Sequence, residues 1–278
     1  MTFEWGKKTY VMGVVNCTPD SFSGDGVVST DAAIAQGMQM EKDGADILDV
    51  GGESTRPGSA LVGLEEELAR VIPVVEGLAK KVGIPISIDT YKAEVARRAL
   101  QAGASIVNDV WGGRMEPELL SVAADTQSHL VLMHNRSQPK AVAQEERLGG
   151  RYVGTEYEDL IGDIQKELQE RIDAALERGV RKEKIIVDPG IGFGKTVEQN
   201  LELVARLGAL KELGYPILAG PSRKSFVGYT LDLPPEDRLE GTAAAVALCI
   251  RGGADIVRVH DVRAIDRVRR LADAVVRR

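Results

Sequence analysis

The chain alternates short apolar runs with longer amphipathic stretches. Eight runs of four to six residues are rich in β-branched side chains and show no polar alternation. Such runs are typical of parallel strands that are buried on both faces. The predicted strands are Tyr10–Val15, Asp46–Val50, Pro85–Ile88, Ser105–Asn108, His129–Met133, Lys184–Val187, Pro216–Ala219 and Asp255–Val259.

Helical spacing of apolar residues fills the stretches between these runs. The clearest predicted helices are Leu64–Lys81, Glu156–Arg178, Glu198–Leu213 and Gly241–Arg251. Eight strand-then-helix units predict an α/β fold, a (β/α)8 TIM barrel that forms a single domain over residues 1–278, because barrels of about 250 residues fold as one unit. An open doubly wound sheet is the alternative. The segment Asn135–Thr155 has no clear pattern, and we predict a long loop after the fifth strand.

Composition and charge narrow the possible partners. The chain carries a net charge of −7, which argues against nucleic acid as the main partner. The two cysteines, Cys17 and Cys249, fit no metal spacing and are predicted to be free thiols. No leader pattern opens the chain and no apolar run reaches about 18 residues, so we expect a cytoplasmic protein that is not embedded in a membrane.

Polar side chains follow every predicted strand. The carboxyl ends of barrel strands build active sites. The groups found there are Asn16, Asp49, Asp89, Asn108, Asp109, His134, Asp188, the segment Ser222–Ser225 and the segment Arg258–Asp261. A single aspartate can cap the following helix. Basic residues at a helix start oppose the helix dipole, so those after the seventh and eighth strands indicate an anionic ligand.

Two motifs are misleading. The segment Asp188–Thr196 is similar to a phosphate-binding loop, but Pro189 stands where the first glycine is required. The three histidines are not spaced as zinc ligands, and His129, which opens a strand, is predicted to be structural. The residues alone therefore predict an enzyme that acts on a phosphorylated small molecule.

Several segments, taken in order, carry a specific resemblance. They are Gly13–Ser23, Asp49–Gly58, Asp188–Lys195, Ser222–Ser225 and Arg258–Asp261. Together they resemble the dihydropteroate synthases of bacterial folate synthesis along essentially the whole chain. The resemblance implies a transferase that joins 4-aminobenzoate to (7,8-dihydropterin-6-yl)methyl diphosphate and releases diphosphate. It also implies Mg²⁺ as cofactor, a homodimer and a target of sulfonamides.

The same resemblance assigns roles to individual residues. The implied catalytic groups are Asp89, Asp188, Lys224, Arg258 and His260. The implied substrate contacts are these five and Phe22, Thr55, Arg56, Pro57, Asn108, Met133, Phe193, Gly220, Ser225 and Val259. Asn16 is the implied Mg²⁺ ligand, and the loops Cys17–Val28 and Ser54–Ser59 are expected to close over the site.

Two other functions remain open at this point. A methyltetrahydrofolate-dependent methyltransferase shares the barrel and the pterin pocket, but it holds no diphosphate and leaves Thr55, Arg56 and the segment Ser222–Ser225 unexplained. A catalytically silent pterin-binding homologue is the other alternative. Such a protein would be expected to lack Asn16, Lys224 or the pair Thr55 and Arg56, and all of these residues are present. Cys17 stands where valine is frequent in the family, a change that removes none of the chemical groups named above.

Overall fold

A parallel sheet forms the centre of the molecule. The computed structural model describes residues 3–17, 30–54, 61–137, 142–153 and 156–277. The strands of this sheet are β1 (Tyr10–Asn16), β2 (Ile47–Gly51), β3 (Ile86–Asp89), β4 (Ile106–Asp109), β5 (His129–Met133), β8 (Ile185–Asp188), β9 (Leu218–Ala219) and β10 (Ile256–Val259). All eight predicted strands are present, with ends that differ by at most two residues.

The sheet closes on itself. Its strand order is β8-β5-β4-β3-β2-β1-β10-β9. The two outer strands then meet, because Ile217 forms a parallel bridge to Val187, whose backbone N–H donates to the carbonyl oxygen of Pro216 at 2.9 Å. The predicted (β/α)8 barrel is confirmed, and the open doubly wound sheet is excluded.

Helices follow the strands around the outside of the barrel. Within the described residues they are α1 (Thr30–Lys42), α2 (Leu64–Ala79), α3 (Ala93–Gln101), α4 (Glu118–Thr126), α5 (Leu160–Glu177), α6 (Val197–Ala205), α7 (Ser225–Leu231), α8 (Leu239–Arg251) and α9 (Val262–Val276). The predicted helix Glu198–Leu213 is in fact α6 followed by a 3-10 turn over Leu207–Leu213. Thr196 begins α6 with a capping box to Gln199, which explains the false phosphate-loop signal as a helix start.

The predicted loop Asn135–Thr155 contains regular structure. Its strands β6 (Val142–Ala143) and β7 (Arg151–Tyr152) form a short antiparallel pair. The prediction of an irregular loop was therefore wrong for these residues, which are too few to show a strand pattern in the sequence.

An apolar cluster fills the amino-terminal half of the barrel. It contains Phe3, Tyr10, Met12, Ile47, Ile106, Val131, Ile186, Leu218 and Ile256. The rings of Phe3 and Trp5 stack 4.7 Å apart, and Phe3 meets Tyr10 and His129 edge to face. This apolar cluster closes one end of the barrel, and His129 packs against it, as a structural residue would. Burial lowers the pKa of His129 to about 4.

Two further predictions concern the rest of the molecule. Cys17 and Cys249 are buried and free, as expected. Along the described parts of the chain, no helix has both the length and the apolar character needed to cross a membrane.

Candidate active site

A polar layer lies directly on the apolar cluster inside the barrel. Alternate residues of a strand point to the same face, so a residue two positions after an inward residue also points inward. Asp49 follows Ile47 in this way, and Arg258 follows Ile256. Three further pairs obey the same rule, namely Asn108 after Ile106, Met133 after Val131 and Asp188 after Ile186. The strand register therefore gathers these side chains at the carboxyl end of the barrel.

Arg258 is the centre of this layer. Its Nε donates to Asp49 Oδ2 at 2.6 Å, and a terminal guanidinium nitrogen donates to Asp89 Oδ2 at 2.7 Å. Asn108 Nδ2 donates to the same Asp49 oxygen at 3.0 Å. Asp49 is fully buried, whereas 20% of the Arg258 side chain remains exposed. One guanidinium thus links two carboxylates and leaves part of its surface toward the open end of the barrel.

Burial shifts the protonation of the carboxylates. It raises the pKa of Asp89 to about 7, although the charge of Arg258 opposes the rise. Burial also raises the pKa of Asp188 to about 6, against the hydrogen bond from the Gly190 backbone N–H, which is 2.7 Å from Oδ1. Burial alone would lower the pKa of Arg258, but Asp49 and Asp89 raise it further. Arg258 is therefore charged at every relevant pH, and the two carboxylates titrate close to neutrality.

The loop after β8 forms one wall of the site. Phe193 packs with Met133 and Val110, with Trp111 at the edge of this cluster. Lys224 Nζ lies 3.9 Å from the centroid of the Phe193 ring. These contacts bring three predicted substrate-binding residues, Met133, Phe193 and Lys224, to the same side of the barrel mouth.

Gly192 allows the Lys224 side chain to lie close against the backbone of this loop. Its φ is +81°, and a Cβ at this position would lie 2.7 Å from Lys224 Cδ. Any other residue would therefore be strained and would push Lys224 away from the wall.

Ser222 orients His260. The hydroxyl oxygen of Ser222 accepts the His260 backbone N–H at 3.2 Å and lies 2.9 Å from His260 Nδ1. Burial and the charge of Arg258 lower the pKa of His260 to about 3, so the ring is neutral. Since the Ser222 hydroxyl then donates to Nδ1, the ring proton is assigned to Nε2, which makes Nε2 a hydrogen-bond donor.

Three polar residues at strand ends have structural partners instead. Arg223 forms a two-point ion pair with Asp261, at 2.9 Å and 2.6 Å, so an anionic ligand is not needed to explain it. Asp109 accepts the backbone N–H groups of Trp111 and Gly113 and so shapes the turn after β4. In these cases the polar strand end serves the fold.

His134 also turns away from the polar layer. Its Nδ1 lies 3.0 Å from Lys195 Nζ, and its Nε2 lies 3.1 Å from Glu167 Oε2 on α5. Lys195 Nζ further donates to the carbonyl oxygens of Gly190 and Phe193, at 3.0 Å and 3.1 Å. This cluster fixes the loop that carries Phe193.

The other residues that were predicted to bind substrate or metal lie at different places around the barrel mouth or outside the described residues. Asn16 ends β1, beside Gly51 in the register. Gly220 lies near Arg258, and Ser225 begins α7 half-buried. Val259 is fully buried in the outer core between barrel and helices, so only its backbone faces the barrel mouth. Some predictions lie outside the described residues. They concern most of the two covering loops and the residues Phe22, Thr55, Arg56 and Pro57.

Two residues that the sequence placed at strand ends, but to which it assigned no role in binding or catalysis, belong to this arrangement. Asp49 joins Asn108 and Arg258, and Ser222 orients His260. Asp49 had a signal in the sequence, because a polar residue two positions after Ile47 must share its inward face. The role of Ser222 depends on a contact between two separate loops and has no local sequence signal.

The described residues form no metal site made of protein ligands alone. Among them, no group of three or more histidine, cysteine or carboxylate side chains is placed to hold an ion. Asn16, half-buried at the end of β1, offers one neutral amide oxygen. Mg²⁺ usually takes one or two protein ligands and completes its shell with phosphate and water. Asn16 therefore fits a Mg²⁺ ion that arrives with a diphosphate.

Comparison with known proteins identifies the family. Residues 12–260 match the pterin binding enzyme family. A dihydropteroate synthase from Synechocystis is 51% identical over 99% of this chain and 93% of its own length. A Clostridium difficile dihydropteroate synthase, solved in the presence of pteroic acid, has a TM-score of 0.91 at 48% identity and covers 100% of both chains. A Xanthomonas albilineans dihydropteroate synthase with 4-aminobenzoic acid has a TM-score of 0.88 at 43% identity, over 97% of this chain and 94% of that one. The chain belongs to the pterin-binding enzymes and, within them, to the dihydropteroate synthases.

Proposed function

We propose that the inward polar layer carries out the condensation of (7,8-dihydropterin-6-yl)methyl diphosphate with 4-aminobenzoate, giving 7,8-dihydropteroate and diphosphate. The observation that carries this assignment is Arg258, held between Asp49 and Asp89 at the carboxyl end of the barrel. The cation lies between two buried carboxylates, of which Asp89 is assigned to the pterin, and its exposed part is available to the leaving diphosphate.

The pterin is recognised by groups of opposite hydrogen-bonding character. Asn108 donates its amide hydrogen to Asp49, so its carbonyl oxygen is left to accept from a ligand N–H. Asp188 accepts donors on the amino-pyrimidinone edge, and Lys224 donates to the ring carbonyl and nitrogen. Buried polar groups discriminate strongly, because a ligand without the matching group leaves them unpaired.

The chemistry begins with cleavage of the C–O bond between the pterin methylene and the diphosphate. The electron pair leaves with the diphosphate, to which Arg258 and the Nε2 proton of His260 donate. The positive charge that remains is delocalised into the pterin ring, where the carboxylates of Asp89 and Asp188 stabilise it. The amine lone pair of 4-aminobenzoate then forms the C–N bond, and one amine proton is lost to solvent.

Mg²⁺, held by Asn16 and the substrate, would supply further charge compensation for the diphosphate. We expect the aminobenzoate ring to contact Phe193 and Ser225, and Phe22 and Pro57 are its other expected contacts. A sulfonamide that mimics aminobenzoate competes for the same place. Val259 contributes through its backbone, and we expect Thr55 and Arg56 to contact both substrates.

The assembly and the location are also part of this proposal. We expect a homodimer, on the basis of family membership, and light scattering that returns a single-chain mass would contradict it. A cytoplasmic location fits the two buried free cysteines, because the cytoplasm keeps thiols reduced.

The direct test is release of diphosphate. Purified protein is mixed with the pterin diphosphate, 4-aminobenzoate and Mg²⁺, and diphosphate and dihydropteroate are quantified against reactions that lack one substrate. Equal amounts of the two products support the proposal. Pterin binding without release by a folded sample would instead indicate a silent homologue, and methyl transfer from methyltetrahydrofolate would indicate the related methyltransferases. Omitting the metal and adding a chelator tests the Mg²⁺ requirement in the same assay.

A further inference from the structure

Asp49 is more deeply buried than the polar side chains that are proposed to bind the pterin. Its side chain is 0% exposed, and it pairs in the strand register with Val14 and Ser87. The carboxylate points inward, since it bonds to Asn108 on β4 and to Arg258 on β10. It therefore lies beneath the residues that meet the pterin.

Both of these bonds end on the same oxygen. Oδ2 accepts from Asn108 Nδ2 and from Arg258 Nε, whereas Oδ1 has no hydrogen-bond partner among the described residues. A buried carboxylate with one unpaired oxygen costs stability compared with an apolar residue of similar volume. The position is better explained by what Asn108 and Arg258 require than by the stability of the barrel.

Asn108 requires a partner that fixes the orientation of its side-chain amide. An amide can turn either its oxygen or its nitrogen toward a ligand, and the two choices recognise opposite groups. Asp49 offers only acceptors, so it selects the orientation in which the Asn108 nitrogen points down and the oxygen points into the site.

The requirement of Arg258 concerns its second partner. Asp89 holds the other side of the guanidinium, but Asp89 is also assigned to the pterin. When the ligand engages Asp89, Asp49 is the carboxylate that still holds Nε. The guanidinium then keeps its place between the ring and the diphosphate.

We infer that Asp49 is a positioning residue that fixes the orientation of the Asn108 amide and the place of the Arg258 guanidinium, and so determines pterin affinity without touching the 4-aminobenzoate. This inference rests on the proposed function. It predicts an effect on one substrate, which a residue needed only for folding would not show.

The test uses Asp49→Ala and Asp49→Asn with steady-state kinetics for each substrate. Asp49→Ala removes both bonds, and we expect the KM for the pterin diphosphate to rise about thirtyfold, as for loss of one charge-assisted hydrogen bond. The KM for 4-aminobenzoate should change less than about threefold. Asp49→Asn keeps an oxygen for Asn108 but lacks the charge, so its effect should lie between wild type and Asp49→Ala. It also provides the measurement if the alanine variant does not fold.

A double-mutant cycle with Asn108→Ala separates positioning from general stability. If Asp49 acts through Asn108, Asp49→Ala should cost less in the Asn108→Ala background than in wild type, because interacting residues are not additive. Asp109→Asn is the matched control, since Asp109 is a buried carboxylate whose hydrogen-bond partners among the described residues are backbone N–H groups of its own turn. It should lower the unfolding temperature without separating the two KM values.

Two results would overturn the inference. One is an equal rise in both KM values that follows the loss of stability, and the other is strict additivity in the cycle. Failure of the proposed function has a different signature, namely wild-type protein that releases no diphosphate. In that case, calorimetric titration of the Asp49 variants with the pterin diphosphate still tests whether Asp49 determines pterin affinity.

Discussion

Lys195 gives the sharpest test of how the fold supports the site. This side chain is 2% exposed, and its Nζ contacts two loop carbonyl oxygens and His134. Burial lowers its pKa from 10.5 to about 7, although Asp188 and Glu167 oppose the change. Replacing it with methionine keeps most of the volume and removes both the titration and the three polar contacts.

The expected magnitude follows from proton linkage. The folded protein releases the Lys195 proton near pH 7, whereas the unfolded chain keeps it to about pH 10.5. Between these values the unfolded state binds more protons, so the free energy of unfolding rises with pH. Over the interval from about pH 7 to about pH 8.5 the contribution of Lys195 is about 1.5 kcal/mol. Lys195→Met should lose this rise.

Urea unfolding at both pH values measures the effect. Asp89 and the two cysteines also titrate differently in the folded and unfolded states, but they are present in both proteins and cancel in the comparison. Lys80→Met is the matched control, because Lys80 is exposed at the end of α2 and should leave the pH dependence unchanged. The reasoning is refuted if Lys195→Met keeps the wild-type pH dependence. The variant should also raise the KM for 4-aminobenzoate, since Lys195 holds the loop that carries Phe193, which is assigned to the aminobenzoate ring.

Three further predictions concern the polar layer. The kcat/KM for the pterin diphosphate should decrease as the pH is lowered through about 7. Burial raises the pKa of Asp89 to about 7, and its protonated form no longer stabilises a cation. A kcat/KM that stays constant down to about pH 5 would contradict this prediction. Arg258→Lys should lower kcat/KM by about thirtyfold, or about 2 kcal/mol, because an ammonium cannot reproduce the planar fork that joins Asp49 and Asp89; steady-state kinetics that show less than about a threefold loss would count against it. Asp188→Asn should weaken calorimetric pterin binding more than about tenfold while the unfolding temperature changes little, since asparagine still accepts the Gly190 N–H; equal losses of binding and stability would assign Asp188 to the fold.

Much of the site could be predicted because strand geometry is regular. Once the eight apolar runs are recognised as parallel strands, every second residue faces inward. This rule places Asp89, Asn108, Asp188 and Arg258 together, and it places Asp49 with them. The family resemblance was needed for the identity of the ligand, because inward carboxylates and one arginine fit many phosphorylated molecules.

Other features depend on contacts between loops and could not be predicted from local pattern. Arg223 follows the seventh strand as a basic residue, which suggested an anionic ligand, and Lys195 belongs to the segment that was similar to a phosphate-binding loop. The structure gives them internal partners instead, Asp261 for the first and two loop carbonyl oxygens with His134 for the second. Val259 shows the same limit, since its outward side chain packs against helices although its neighbours face the site.

The charge balance of the layer connects the fold to the chemistry. Three carboxylates, Asp49, Asp89 and Asp188, surround the two cations Arg258 and Lys224, which leaves one excess negative charge when all are ionised. The apolar cluster beneath the layer excludes water and strengthens these interactions. A neutral pterin leaves that charge uncompensated, whereas the cation formed by C–O cleavage neutralises it. The site therefore stabilises the intermediate more than the substrate, and protonation of Asp89 would remove this preference.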